Sequence, residues 1–444
     1  MSKTYSPNVS ATLTGGFFFA RLAEQPRSCD LWFIIFLIVL TVTKLGNAST
    51  LPEDTPENVG LSSSKLNNIQ PTFKKYIDNG QIPCLSVAVV RHGKIAYFNN
   101  SGLRDIENNL PIERDTIFRI YSMSKAITSV AAMILYEEGH FELIDPVSDY
   151  LPEFTNQEVY VGGWGDRLKT RVPDKPMTIQ QLFTHSSGLS YGNGATAVDS
   201  IYISLDIWNS DTLEEMTSRI AKAPLMFEPG SEWRYGVSID VLGRLIEVVS
   251  GQILGDFLKD RIFTPLGMID TGFYVSQEQA ERFSVMYRWV ESNSFFGSGK
   301  LEPILGQNYT DPNRLQSGGG GLVSTVDDYL KFCQMVLNEG TLNDHRILSS
   351  RTVRYMLLNH LPSGVDAGWE GLGHGLGFGI LTDPAKLGRI GNIGEASWAG
   401  YANTFFWIDP KEQLISMVWT QMIPWGIRDF RHQLLPLVHS SIVD

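Results

Sequence analysis

The chain has 444 residues, 43% of them hydrophobic and 19% charged, which is ample material for a large globular core. Its formal net charge is -12, its pI is about 5.2, and basic residues occur at most in pairs such as Lys74-Lys75. Nucleic-acid binding is therefore excluded as a first reading.

Residues 1–50 stand apart. Leu31 to Val42 is an apolar run broken only by Thr41, and Lys3, Arg21 and Arg27 precede it. The run (residues 31–43) is shorter than the roughly 18 to 20 residues that a membrane-spanning helix needs. Small residues ending in Gly46-Asn47-Ala48 follow it. The expectation is a secretory leader cleaved near Ala48, and hence an exported protein. An uncleaved membrane anchor and a start codon placed too early are the competing readings. Of the three cysteines, Cys29 lies in this segment, and Cys84 and Cys333 are too far apart to imply a disulfide framework. Asn99-Asn-Ser101 and Asn308-Tyr-Thr310 are glycosylation sequons, with meaning only in a eukaryotic host.

Residues 62–79 have helical period, with Pro71 as an irregularity that kinks or splits the helix. Leu85–Arg91 and Lys94–Phe98 flank His92-Gly93 and predict an antiparallel hairpin. A helix follows from about Ser122, with Ile127, Val130, Ala131, Ile134 and Leu135 on one side and Gly139 at its end. The passage from about 178 to 260 is mostly helical, including Val241, Leu242, Leu245, Ile246 and Val249 before Gly251. Ser317–Leu322 is a tight glycine turn before a helix that Ser324 or Thr325 caps. Residues 402–408 and 413–420 flank Asp409-Pro410 as a second hairpin, and a last amphipathic helix covers roughly 427–440. The expected class is α+β: one antiparallel sheet built from both chain ends, and a mostly helical lobe over about 140–330. Residues 56–440 would form a single domain.

The chemistry centres on Ser122-Met-Ser-Lys125. Lysine one helical turn from a serine shares its face and reaches its hydroxyl, which is a weak nucleophile until a neighbour takes its proton. The helix N-terminus adds N–H groups suited to an oxyanion. Tyr235, just before the helix carrying Val241, is a candidate second proton handler, and its phenol would fall in pKa beside a lysine ammonium.

Five ordered stretches carry a resemblance. Phe118–Ser129, Tyr235–Gly243 and Trp398-Ala-Gly400 resemble the three motifs of the serine β-lactamase-related superfamily, in the branch shared by class C β-lactamases and family VIII carboxylesterases. Leu182–Leu189 and Ser317–Thr325 are similar to further signature loops, so the resemblance spans about 56–438. It implies that Ser122 is acylated, that Lys125 and Tyr235 are general base and then general acid, and that Trp398-Ala399-Gly400 lies on the strand bordering the cleft. It also implies an oxyanion hole from the N–H groups of Ser122 and Tyr401. Two positions depart from the lactamase pattern: Val237 replaces an asparagine, and Trp398 replaces the lysine that helps bind the carboxylate of penicillins. This shifts the expectation to neutral small esters. β-Lactamase or D-amino-acid peptidase activity, and a penicillin-recognising module without turnover, are the alternatives.

Other residues look functional and are read as structural. Gly188-Leu-Ser-Tyr-Gly192 fits G-x-S-x-G, but a helix and a loop precede Ser190 where a nucleophile elbow needs a strand. Its Tyr191 is expected to line the cleft and touch substrate. His185 is read as stabilising its loop, Ser124 as structural, Arg119 as paired with an acid, and Gly371–Gly379 as a turn entering a strand. No metal-ligand spacing appears, and neither a metal nor a cofactor is expected.

Overall fold

The computed structural model describes residues 50–291, 299–306, 308–426 and 430–443. Residues 1–49, the expected leader with Cys29, lie outside these residues. Helix α1 (Ile69–Asp78) follows a separate turn of helix at Ser63–Leu66. The break falls before Pro71, which occupies the first turn of α1, where its missing N–H leaves no helical bond unmade.

Strands β1 (Cys84–Arg91), β2 (Lys94–Asp105) and β3 (Leu110–Pro111) come next. The expected His92-Gly93 hairpin is there, and both turn residues have positive φ, 53° and 76°. Helix α2 (Ser124–Glu137) buries every residue from Ser124 to Leu135. Helices α3 (Ser238–Ser250) and α4 (Val326–Leu337) belong to the later chain. Thr325 caps α4, accepting from the Asp328 N–H at 3.2 Å. The chain then returns as β4 (Leu372–His374), β5 (Gly379–Leu381), β6 (Ala396–Gly400), β7 (Thr404–Asp409) and β8 (Leu414–Trp419). Helix α5 (Phe430–His439) closes it.

The eight strands form one antiparallel sheet in the order β4-β5-β6-β7-β8-β1-β2-β3. The two chain ends meet where β1 pairs with β8, Val87 opposite Val418. Period-2 alternation sends successive side chains to opposite faces. Val87, Val89, Trp407 and Val418 join a core with Phe73 of α1 and Leu434 of α5. Ala88, Val90, Phe406 and Met417 join the larger core with α2, α3 and α4. Helix α2 is therefore internal, and the residues at its N-terminus are fixed by packing from all sides.

The middle of the chain is mostly short helices, with two small ladders that the sequence reading did not foresee: Val159–Gly162 with Lys169–Arg171, and Tyr287–Val290 with Lys300–Pro303. The glycine-dense stretch 371–379 supplies β4, a turn and the start of β5.

Candidate active site

Ser122 sits on a short 3₁₀ turn, Tyr121–Met123, that runs straight into α2. The turn starts from strain: Tyr121 has φ 44°, a left-handed conformation uncommon for a bulky residue. Its ring meets Tyr401 edge-on at 5.9 Å. Ser124 is structural, as expected: its Oγ donates to Tyr121 O at 2.6 Å and accepts from the Leu322 N–H at 3.2 Å.

Lys125 is 1% exposed. Its Nζ lies 3.2 Å from Ser122 Oγ and 2.7 Å from the Tyr191 hydroxyl, and donates to Gly319 O. Asp240 arranges the last of these contacts. This carboxylate on α3 is fully buried; its Oδ1 accepts from the Gly319 N–H at 3.0 Å and from Ser317 Oγ. A Cβ at Gly319 would come within 2.4 Å of Asp240, so the turn needs glycine there. Burial pushes the Asp240 carboxyl above its ordinary value, and the nearby Lys125 charge pulls against that shift.

The two phenols divide the surroundings of Lys125. Tyr191 makes the direct bond, so it is a partner of the lysine as well as a wall of the cleft. Burial raises its pKa well above the phenol range, and the neighbouring Tyr235 and Asp240 add to the rise. Lys125 Nζ instead sits over the face of Tyr235, 4.8 Å from the ring centroid. The Tyr235 hydroxyl accepts from the indole N–H of Trp398 at 3.3 Å. Trp398 on β6 thus holds Tyr235 with the position that lactamases give to lysine.

The end of β6 reaches the serine by backbone contact. A Cβ on Gly400 would meet Ile120 O at 2.3 Å and Thr404 Oγ1 at 2.2 Å. Glycine alone allows the strand to lie against the residue two before Ser122. Tyr401 follows and lines the cleft, half exposed.

Ser190 is buried, and its Oγ donates to Asp199 Oδ1 at 2.5 Å, so it is committed to its loop. His185 is also buried; its Nδ1 accepts from the Gly236 N–H at 3.4 Å and its ring lies 4.8 Å from that of Tyr235. Burial holds its pKa well below normal, and His374 beside it falls to about 4 for the same reason. Both imidazoles are neutral packing for the tyrosine loop.

The expected acid partner of Arg119 is absent among the described residues. Its Nη1 donates to Ser284 O at 2.6 Å, and the guanidinium lies over Phe283 at 4.0 Å and Tyr309 at 4.8 Å. Aromatic faces and a carbonyl replace the carboxylate. Among the described residues one grouping has metal-ligand composition: Glu395, Asp409 and His439, with ligand atoms within 4.8 Å of one another. Arg389 already donates to Glu395 and Asn392 to Asp409, each at 2.8 Å.

Ser122 opens into a cleft of about 600 Å³. Its walls are largely aromatic, with Tyr121, Tyr191, Trp208, Tyr235, Tyr309 and Tyr401. Asp240 and Trp208 escaped the sequence reading. Asp240 could have been found as the only acid in the Tyr235–Gly243 stretch, whereas nothing local marks Trp208.

The family model described as Beta-lactamase matches residues 69–432. Esterase EstB of Burkholderia gladioli is 34% identical, over 72% of this chain and 82% of EstB. The lovastatin esterase of Penicillium rubens is 30% identical, over 77% of this chain and 90% of that enzyme. Among solved structures, EstCE1, described as a hydrolase with promiscuous acyltransferase activity, superimposes with a TM-score of 0.72 at 28% identity, covering 86% of this chain and 99% of EstCE1.

Proposed function

The chain belongs to the Beta-lactamase family of serine enzymes, and from that premise we propose that it hydrolyses small carboxylic esters through an acyl-enzyme on Ser122. The observation that carries the reading is the 3.2 Å contact between Lys125 Nζ and Ser122 Oγ at the floor of an aromatic cleft. Lys125 takes the serine proton as Oγ attacks the ester carbonyl. The negative charge that develops on the carbonyl oxygen is met by the N–H groups of Ser122 and Tyr401. Tyr235, with Tyr191 beside it, returns a proton to the leaving alkoxide, and the acyl group stays on Oγ. Water then attacks the acyl-enzyme with the same groups in reverse roles. An alcohol in place of water completes an acyl transfer, the second activity described for EstCE1.

Trp398 favours an esterase over a lactamase. Its indole N–H is engaged by Tyr235, so this wall offers no cation to the carboxylate of a penicillin. The test is a panel of short and long p-nitrophenyl esters beside a chromogenic cephalosporin, with fluorophosphonate labelling and peptide mapping. Short esters should turn over much faster than the cephalosporin, the label should map to Ser122, and Ser122→Ala should leave background turnover and no adduct. Labelling at Ser190, or full activity in Ser122→Ala, would falsify the assignment.

A further inference from the structure

The wall of the cleft formed by residues 308–321 differs from the rest in one respect. Above the Lys125 floor, Arg314 is the only one of the described residues lining the cleft with a charged side chain, and none is acidic. No carboxylate pairs with it among the described residues. Its Nη1 donates to Phe273 O at 2.9 Å and to Gly321 O at 3.0 Å, and its guanidinium lies 3.8 Å from the Tyr309 ring centroid. Those contacts fix the plane of the group and use one of its nitrogens, while a guanidinium carries five donors. Arg119 lies over the same Tyr309 ring, is 6% exposed, and its Nε has no partner. Two guanidinium groups therefore share one phenol ring without a counter-ion among the described residues, in a chain of net charge -12. An isolated positive field at the edge of a cleft attracts anions and is worth most where walls exclude water.

We propose that Arg314 is an anion subsite, and that the natural substrate is an ester carrying a carboxylate. This rests on the hydrolase reading above and deepens it. The alternative is that Arg314 only ties Phe273 to the glycine turn. That role needs Nη1 alone and predicts no preference for charge. The subsite also differs from the lactam-carboxylate position at Trp398, because it lies on the chain segment that carries the Ser317–Gly321 turn.

The test compares near-isosteric pairs that place the charge on either half of the ester. Mono-4-nitrophenyl glutarate is set against 4-nitrophenyl pentanoate for the acyl half, and 4-acetoxybenzoate against 4-acetoxybenzamide for the alcohol half. In at least one pair the anionic member should have the higher kcat/KM, by about 10-fold or more, the size of one charge-assisted contact. The advantage should appear mainly in KM and shrink between 50 and 500 mM NaCl. Arg314→Met should abolish it, Arg314→Lys should keep part of it, and the neutral members should change less than about threefold, a ratio far below one such contact. Equal losses for charged and neutral esters in Arg314→Met, with no wild-type preference, overturn the subsite. Where Arg314→Met disturbs the glycine turn and lowers all turnover, the wild-type pairs decide alone: no anionic preference in either pair overturns the proposal. Neutral turnover without preference sinks the subsite and leaves the hydrolase. No turnover of any ester, with no label on Ser122, sinks both.

Discussion

Among the described residues two lysines are buried, and they have opposite surroundings. Lys331 on α4 is 3% exposed, with its Nζ 3.0 Å from Asp328 Oδ1 and bonded to Gly267 O. Asp328 in turn accepts from the Asp270 N–H at 2.7 Å and from Thr271 Oγ1 at 3.1 Å. Every partner there is a fixed acceptor, and the ion pair is a structural lock. Lys125 is as deeply buried, yet no carboxylate among the described residues touches it. Two of its three partners are hydroxyls, which donate or accept as required. Its counter-charge, Asp240, acts from behind a peptide group. On the proposed mechanism burial alone does not make a lysine catalytic; the hydroxyls that can exchange protons with its amine do.

The largest expected effect separates the two directly. Lys125→Met should lower kcat by roughly 10²- to 10⁴-fold, the range for a general base. Lys331→Met should leave turnover per folded molecule unchanged and cost about 3–5 kcal/mol of stability, because Asp328 stays buried without its partner. Fluorophosphonate titration of active sites and urea unfolding read the two quantities separately. A Lys331→Met enzyme that stays stable but loses turnover breaks the distinction.

The phenols sharpen it further. Tyr235→Phe removes the hydroxyl that Trp398 steadies, and should cost about 10²-fold in kcat/KM. Tyr191→Phe removes a hydroxyl bonded directly to Lys125 whose own ionisation is pushed out of reach, and should cost on the order of 10-fold as a lost hydrogen bond. Each is read from steady-state kinetics on one short ester. Because the groups act as a unit, the double variant should lose little beyond Tyr235→Phe. Reversed magnitudes would move the leaving-group acid to Tyr191.

The smallest effect concerns Asp240. Asp240→Asn keeps an acceptor for Gly319 and removes a charge, so turnover should fall less than about 10-fold. Stability carries a defined sign. Burial raises the folded carboxyl above its ordinary value, so the native state holds the proton more tightly. The associated stability is complete below that value and is lost as pH rises through the folded pKa. Wild type should therefore lose stability relative to Asp240→Asn as pH rises above the ordinary carboxylate range near ~4, measured by urea unfolding at each pH.

What could be read from the sequence was local. The β1–β2 and β7–β8 hairpins follow from alternating strands around short turns, and α2 follows from its 3.6-residue period. Ser122 and Lys125 come together because three residues on a helix always do. The rest is long-range. Tyr191 lies 66 positions from Lys125, and no spacing rule reaches that far. The sequence reading placed Tyr235 beside the lysine; the lysine meets its ring face, and the phenol bonded to the lysine is Tyr191, which is pushed upward. Arg119 was expected to find an acid, and the prior on charged residues fails there because π faces fill the same electrostatic need. Asp240 was visible in the sequence, but its role depends on a turn almost eighty residues further on, joined to it by one 3.0 Å bond.

The contact between Gly400 and Ile120 bears on how such a cleft diversifies. It joins main chain to main chain and leaves no room for even a methyl group. Selection can find no compensating side chain at position 400, so this edge of the reaction centre is closed to gradual change. The neighbours are open: Tyr401 is half exposed, and Leu315 presents a replaceable side chain. New substrates can be sampled by single substitutions along those walls without disturbing the serine. The inheritance of the chemistry and the drift of its specificity are thereby assigned to separate positions of the same cleft.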